Sequence, residues 1–400
     1  MPDITFYNMW RTETPEGRAA LLARMKDEAP ALASKAGFVA MTVLECAEDG
    51  RVLVEGRWQS KEAFDTAVAD DPVAQKSRAS LAQFGSPEPG LFTEVFRVSP
   101  TATPVNAHEG SKSSIPSAGE ALLPPGIDEG TAEVNGQKIH YLRAGLGPAL
   151  VLVHGYPESS LTWRKIMPDL AKKFTVIAPD TRGTGQSSVT DTFSLEDVAD
   201  DLYELVKILG FTKVCLVGQD FGVQVVSAYA AKHREAVSAL VVIESPLSGF
   251  GLEDLFSSFW HFGFMASPFS ELLIAGKEKE FFSTFAFGDF VFRKDAFPQA
   301  DIDRHIADQA RPGRLRAGCA YYRALLTGKD FFSKTVAPPW TFPVLAIDGD
   351  HSMNGLTLKS FERVVPKLRS VIAVDCGHFV QEEQPDFLMK TLLDFLPTGS

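Results

Sequence analysis

Beyond residue 130 the chain alternates two hydrophobic patterns. Runs of consecutive apolar residues, Ala149–Val153, Thr175–Ala178, Val214–Val217, Ala239–Ile243, Val344–Ile347 and Val371–Val374, predict strands. Between them, apolar residues spaced three or four apart predict helices over Leu161–Lys172, Leu195–Leu209, Val223–Ala231, Leu356–Val364 and Glu382–Leu396. Strands that are apolar on both sides belong to a parallel sheet with helices on both faces. Ahead of them, Thr131–Val134 and Lys138–Arg143 flank Asn135-Gly136, a hairpin turn signal. From Ser245 to about Pro339 the alternation stops and a helical, Phe-rich stretch intervenes, which is where such a sheet would carry a cap.

The first hundred residues read differently. Ile4–Trp10, Phe38–Leu44, Val52–Trp58 and Phe92–Val98 predict strands, and Gly17–Ser34 and Lys61–Val68 predict helices. The order β-α-β-β-α-β is that of a ferredoxin-like unit. Residues 99–129, rich in Ser, Pro, Ala and Gly, lack periodicity and read as a linker. The expected organisation is therefore residues 1–98, a linker over 99–129, an α/β core over 130–246 and 336–400, and a helical cap over 247–335.

Composition narrows the function. At 45% hydrophobic residues there is material for a large core, and a net charge of −12 disfavours nucleic acid and anionic lipid as partners. Cys46, Cys215, Cys319 and Cys376 form no CxxC pair and lack a histidine at metal-ligand spacing, so they read as reduced core thiols; neither metal nor cofactor is expected. No run approaches the ~18 apolar residues of a membrane span and no leader pattern opens the chain, which gives the expectation of a cytoplasmic protein acting on a small molecule.

The most specific chemical signal is Gly218-Gln219-Asp220-Phe221-Gly222, set between a predicted strand and a predicted helix. This is the context of a nucleophile elbow, with Asp in place of Ser. Asp also caps helices well, but capping alone does not call for glycine on both sides. A carboxylate is a poor nucleophile for acyl transfer, because attack on an ester gives a more reactive anhydride. Attack on saturated carbon instead gives an ordinary alkyl ester. Hydrolysing that ester requires a general base and oxyanion donors. His378, in Cys376-Gly377-His378-Phe379 after the last strand, has the chain order for the base. Main-chain N–H groups of Phe221 and of Tyr156, in His154-Gly155-Tyr156-Pro157, suit the donors. Two carboxylates end apolar strands and could orient the imidazole, Glu244 and Asp350.

Taken together, HGYP at 154–157, Asp180-x-Arg182-Gly183-x-Gly185-x-Ser187, GQDFG and CGHF resemble the epoxide hydrolase and haloalkane dehalogenase branch of the α/β-hydrolases, across residues 130–397. Trp260-His261-Phe262, LLIAGKEKEFF and Ala320-Tyr321-Tyr322-Arg323 resemble a bacterial epoxide hydrolase subgroup. That resemblance implies His261 and Tyr322 as cap donors to the epoxide oxygen and Glu244 as the acid. Physically, an opening epoxide develops an alkoxide that needs donors already aimed at it. The pattern departs from its relatives at Phe221, where many carry a Trp that can donate to a departing halide. Phe221 and Gln224 also stand where haloacetate dehalogenases have arginines. The many cap phenylalanines imply an apolar or aromatic epoxide, opened to a vicinal diol.

Over residues 1–98, the segments "AGFVAMTV", "EGRWQSKEAFD" and "LFTEVFRV" look like the antibiotic-biosynthesis monooxygenase family. That family holds cofactor-free oxygenases of aromatic polyketides as well as non-catalytic dimers. Trp58 matches its strand-end tryptophan, whereas Val54 stands where its oxygenases can carry Asn. A structural, homodimer-forming or substrate-guiding module in secondary metabolism is the expectation. The alternatives are a dehalogenase, a bifunctional oxygenase–hydrolase, and a ligand-binding protein on a retired hydrolase scaffold.

Overall fold

A computed structural model describes residues 4–10, 15–36, 38–46, 52–59, 66, 92–98, 123–256, 258–366 and 368–397. The chain divides into two compact units, residues 1–114 and 115–400.

In the first unit, strands β1 (Ile4–Trp10), β2 (Phe38–Cys46), β3 (Val52–Trp58) and β4 (Phe92–Val98) form an antiparallel sheet in the order β1-β3-β2-β4, with helix α1 over Pro15–Ala33. A ferredoxin-like arrangement would set the last strand beside the first. Here β4 pairs with β2, Met41 opposite Val98 through Cys46 opposite Phe92. The alternating pattern of β4 suits either edge. The helix expected at Lys61–Val68 lies outside the described residues, apart from Thr66.

The second unit contains an eight-stranded sheet in the order β12-β11-β10-β9-β7-β8-β6-β5. The hairpin β5 (Ile127–Val134) and β6 (Gln137–Ala144) is antiparallel, and β5 begins inside the segment that reads as linker. All other pairings, apart from β6 with β8, are parallel: β7 (Ala149–Val153), β8 (Thr175–Pro179), β9 (Val214–Gln219), β10 (Val237–Ile243), β11 (Val344–Gly349) and β12 (Leu368–Ala373). The two hydrophobic clusters explain the fully apolar runs. On β7, Ala149, Val151 and Val153 join one cluster, while Leu150 and Leu152 join the other on the opposite face. Successive strand residues point to opposite faces, so a strand covered on both must be apolar throughout.

Helices α2 (Leu195–Ile208) and α3 (Phe221–Lys232) flank the sheet, and α2 starts where the Ser194 side chain accepts from the Asp197 N–H. Two expected helices are each broken in two. Over Leu161–Lys172 the chain forms a 3₁₀ turn at Ser160–Trp163 and a short helix at Met167–Leu170, because Pro168 has no N–H to continue the first. Likewise Pro385 opens a new helix, α11 (Pro385–Phe395), after the short α10 (Val380–Glu383). The expected strand Val371–Val374 begins three residues earlier and ends one earlier, at Leu368–Ala373, and the expected helix Leu356–Val364 ends at Phe361 as α9.

Between β10 and β11 the sheet is interrupted by the helices α4 (Trp260–Ala266), α5 (Ser270–Ile274), α6 (Glu278–Thr284), α7 (Gln299–Gln309) and α8 (Arg314–Thr335). Phe282, Phe285 and Phe287 are buried among them, whereas Trp260 is half exposed. Buried charge joins this insertion to the sheet unit. Arg164 pairs with Glu382 and with Asp301 of α7, and Lys165 Nζ lies 2.7 Å from Glu382 Oε2. No described helix is long and apolar enough to cross a membrane.

Candidate active site

The turn from β9 into α3 positions Asp220. Its backbone is left-handed, with φ 52° and ψ −119°, a conformation that costs a non-glycine residue about 1–3 kcal/mol and is kept where the surroundings enforce it. Two features enforce it here. The Asp220 N–H continues the sheet ladder onto Ile243 O at 3.0 Å, and the chain then reverses so tightly that a Cβ on Gly218 would sit 2.4 Å from Gly222 O. A Cβ on Gly222 would sit 2.2 Å from Val153 O, so the helix can begin directly against β7 only without one.

Glu244 repeats this geometry one strand away. Its N–H bonds Ile347 O at 3.0 Å and its φ is 62°, which turns the side chain off the end of β10. His378 lies between the two carboxylates. Its Nδ1–H donates to Glu244 Oε2 at 2.9 Å, and its Nε2 is 3.3 Å from Asp220 Oδ2. The other Glu244 oxygen accepts the Gly349 N–H at 2.6 Å. Asp350, the other candidate acid, instead accepts the N–H groups of Asp375 and Cys376 at 3.1 and 3.0 Å. With β10 next to β9 and β11 one strand further out, Glu244 is the nearer carboxylate to Asp220 by topology.

The Tyr156 N–H donates to Asp220 Oδ1 at 3.1 Å, and the Phe221 N–H also bonds the Asp220 carboxylate. Burial pushes Asp220 upward, but His378 and these two N–H groups outweigh it and hold its pKa below the usual carboxylate range. Burial alone would depress His378. Its hydrogen bonds to Asp220 and Glu244, reinforced by their charge, raise it instead to about 10. The resting pair is thus imidazolium and carboxylate. Esterifying Asp220 would remove one of the two anions that sustain the proton on His378 and return the imidazole toward neutrality.

His261 and Tyr322, far apart in sequence, come together over this site, with ring centroids 5.9 Å apart; Tyr322 lies 5.0 Å from the Phe221 ring. Burial lowers His261 to about 4, against the pull of Asp220, so it is neutral, and its buried Nδ1 has no hydrogen-bond partner among the described residues. Burial, then the Asp220 charge, raises Tyr322 well above an ordinary phenol, so it keeps its proton. Phe290 completes the ring of aromatics, 5.8 Å from His378 and 5.3 Å from His261. The sequence gives no direct signal for Phe290, one phenylalanine among many.

Sequence reasoning also missed Glu158, which follows the HGYP segment. It is 1% exposed, accepts from Thr162 Oγ1 at 2.6 Å and from Gln381 Nε2 at 2.9 Å, and burial raises its pKa to about 8 despite the Thr162 bond. A folded-state pKa above the unfolded value of 4.5 gives stability that is complete below about 4.5 and is lost as pH rises through about 8. Glu158→Gln, which cannot ionise, should therefore gain on wild type between pH 6 and 9. Calorimetry at both pH values checks this, since even about 1 kcal/mol shifts the midpoint of a domain this size by ~2–4 °C. A difference that stays flat with pH would refute it.

Among the described residues Asp350, His351 and Asp375 could approach one ion, but His351 and Asp375 are exposed and none of the three bonds the His378 imidazole. Cys215, Cys319 and Cys376 are buried free thiols, while the Cys46 side chain lies outside the described ones.

A sheet-borne Asp at a strand–helix elbow, a His on the loop after the last strand and an acid at a neighbouring strand end define a hydrolase of the α/β class. The family profile described as the alpha/beta hydrolase fold matches residues 148–385, and the chain belongs to that family. Within it, the chain is similar to the soluble epoxide hydrolase of Corynebacterium sp. strain C12, 32% identical over 279 residues that cover 66% of this chain and 95% of that protein. It is also similar to a fluoroacetate dehalogenase of Burkholderia sp., 27% identical over 68% of this chain and 94% of that protein. The crystal structure of Cfl2 from Burkholderia cenocepacia superposes with a TM-score of 0.63 at 31% identity, covering 68% of this chain and 96% of that one.

Proposed function

We propose that the protein hydrolyses an apolar or aromatic epoxide to a vicinal diol through an Asp220 alkyl ester. The observation that carries the reading is the line Asp220, His378, Glu244, with His261 and Tyr322 set opposite. An Asp220 oxygen attacks a ring carbon and the C–O bond breaks. The departing alkoxide takes the Tyr322 proton, assisted by a hydrogen bond from His261. The imidazolium of His378, having lost the Asp220 anion while keeping Glu244, gives up its Nε2 proton, which restores the phenol. Neutral His378, oriented by Glu244, then takes a proton from water as that water attacks the Asp220 carboxyl carbon. The oxyanion forms on Asp220 Oδ1, which already accepts the Tyr156 N–H, with the Phe221 N–H at the same carboxylate. Collapse breaks the bond from the Asp220 carboxyl carbon to the alkyl oxygen, the expelled alkoxide takes the proton His378 holds, and His378 regains one from the new carboxyl group, leaving the diol and the Asp220 carboxylate.

A second reading, a carbon–halogen hydrolase, draws on the dehalogenase relative. Gln224 speaks against an anionic haloacid. Its amide is engaged by Ser245, Pro246 O and the Ser248 N–H, so it is committed to packing rather than to a substrate carboxylate. For the N-terminal unit we propose a structural or pairing role, in keeping with its antiparallel sheet.

An assay on paired substrates tests these readings. Aryl epoxides should yield diol, brominated alkanes of the same size should release little halide, and oxygen uptake should stay at background. Tyr322→Phe should slow ester formation roughly 10²-fold, and His261→Phe less, because each removes a donor from the developing alkoxide. Halide release without diol, or unchanged ester formation in Tyr322→Phe, would count against the epoxide reading.

A further inference from the structure

Glu383 ends the short helix α10, five residues after His378, and is 1% exposed. Its carboxylate accepts four main-chain N–H groups. Oε1 takes Phe379 at 3.1 Å, and Oε2 takes Gly377 at 3.0 Å, Phe292 at 2.9 Å and Arg293 at 2.8 Å. Gly377 and Phe379 flank His378, while Phe292 and Arg293 belong to the insertion. Two further bonds close the seam: the His378 N–H donates to Phe290 O at 3.0 Å, and Arg293 Nη1 donates to Glu383 O at 3.1 Å. One buried anion thus fastens the loop that carries the imidazole to the segment that carries Phe290.

We propose that Glu383 is a positioning residue for His378, fixing the imidazole against Asp220 and Glu244 by tying its loop to residues 290–293. This rests on the reading of His378 as the base of ester hydrolysis. An ionised carboxylate is acceptor-only and its bonds to N–H groups are charge-assisted, whereas an amide has one acceptor oxygen and would turn an NH₂ toward at least one N–H. The two half-reactions depend on Glu383 unequally. Asp220 is aimed by its elbow and by the N–H groups of Tyr156 and Phe221, none of which Glu383 touches. The imidazole is held through the loop that Glu383 binds, so hydrolysis of the ester is the step that suffers.

Rapid-quench mass spectrometry of Glu383→Gln with an aryl epoxide follows both steps. Ester formation should stay within about threefold of wild type, while its breakdown slows roughly 10- to 100-fold, the scale on which a displaced reacting group loses rate. Esterified enzyme then accumulates during turnover. A second readout needs no substrate: the downfield proton resonance of the His378–Glu244 bond should shift or broaden. Glu383→Asp, which keeps the charge, should recover part of both effects, and it carries the same comparison if Glu383→Gln does not fold. Equal slowing of both steps with an unmoved resonance, or wild-type behaviour throughout, overturns the inference. If wild type and His378→Gln form no ester at all, the proposed mechanism fails, and the resonance still decides whether Glu383 positions His378.

Discussion

His378→Gln should stop the reaction halfway, with the Asp220 ester formed and retained. Gln can occupy the space of the imidazole, and it leaves the elbow, the Tyr156 and Phe221 N–H groups and the cap donors in place, so the first step retains its geometry. What it cannot do is accept a proton from water, and the loss of a general base costs about 10²–10⁴-fold. The ester should therefore outlive the assay and appear in intact-mass spectra as enzyme plus one substrate, located at Asp220 by peptide mapping. Wild-type enzyme turned over once in heavy-oxygen water should carry the label in Asp220 itself, since water attacks the carboxyl carbon of the ester and not its alkyl carbon. An adduct on another residue, or a variant that still turns over at a tenth of the wild-type rate, would contradict the assignment.

Asp220→Asn should be the most damaging single change. It removes the nucleophile, and turnover should fall roughly 10⁴-fold or more, as when a covalent nucleophile is deleted. It also separates charge from shape in a way that titration can read. Asp220 supports the His378 proton more than Glu244 does, and the two together hold it to about 10 against burial. With a neutral amide in its place, the His378 pKa should fall back toward or below the ordinary imidazole value near 6.5, because burial is then opposed by Glu244 alone. NMR titration of the His378 ring protons in both proteins measures this, and an unchanged pKa would mean that Glu244 alone keeps the imidazole charged. In the proposed mechanism the same drop would let one imidazole be paired as a cation at rest and serve as a base after alkylation.

The parts of this architecture that depend on local pattern were readable from residues alone. Ala149–Val153 and Val214–Val217 announce a doubly covered sheet because every position on them is buried, and Gly218 and Gly222 mark the elbow because no Cβ fits at either place. Features that depend on which elements become neighbours were less accessible. Glu244 and Asp350 both end apolar strands, and the distinction between them rests on sheet order, which no periodicity encodes. The side on which β4 joins its sheet is of the same kind. Proline was the local signal given too little weight, at Pro168 and Pro385 alike. Glu158, Glu382 and Glu383 escaped notice because acidic residues in sequence suggest solvent, and only the fold reveals that all three are enclosed.

The seam at residues 290–293 has a consequence for how this scaffold tolerates change. The helical excursion between β10 and β11 is tied to the loop of His378 only through residues 290–293 among the contacts described above, whereas Asp301 ties it to Arg164 instead. Lengthening or trimming before Phe290 would reshape the roof over the reacting carbon while leaving the imidazole where it is. The same indel within 290–293 would be felt at the proton-transfer step, which makes the first stretch the natural place to vary substrate preference and the second a place to leave alone.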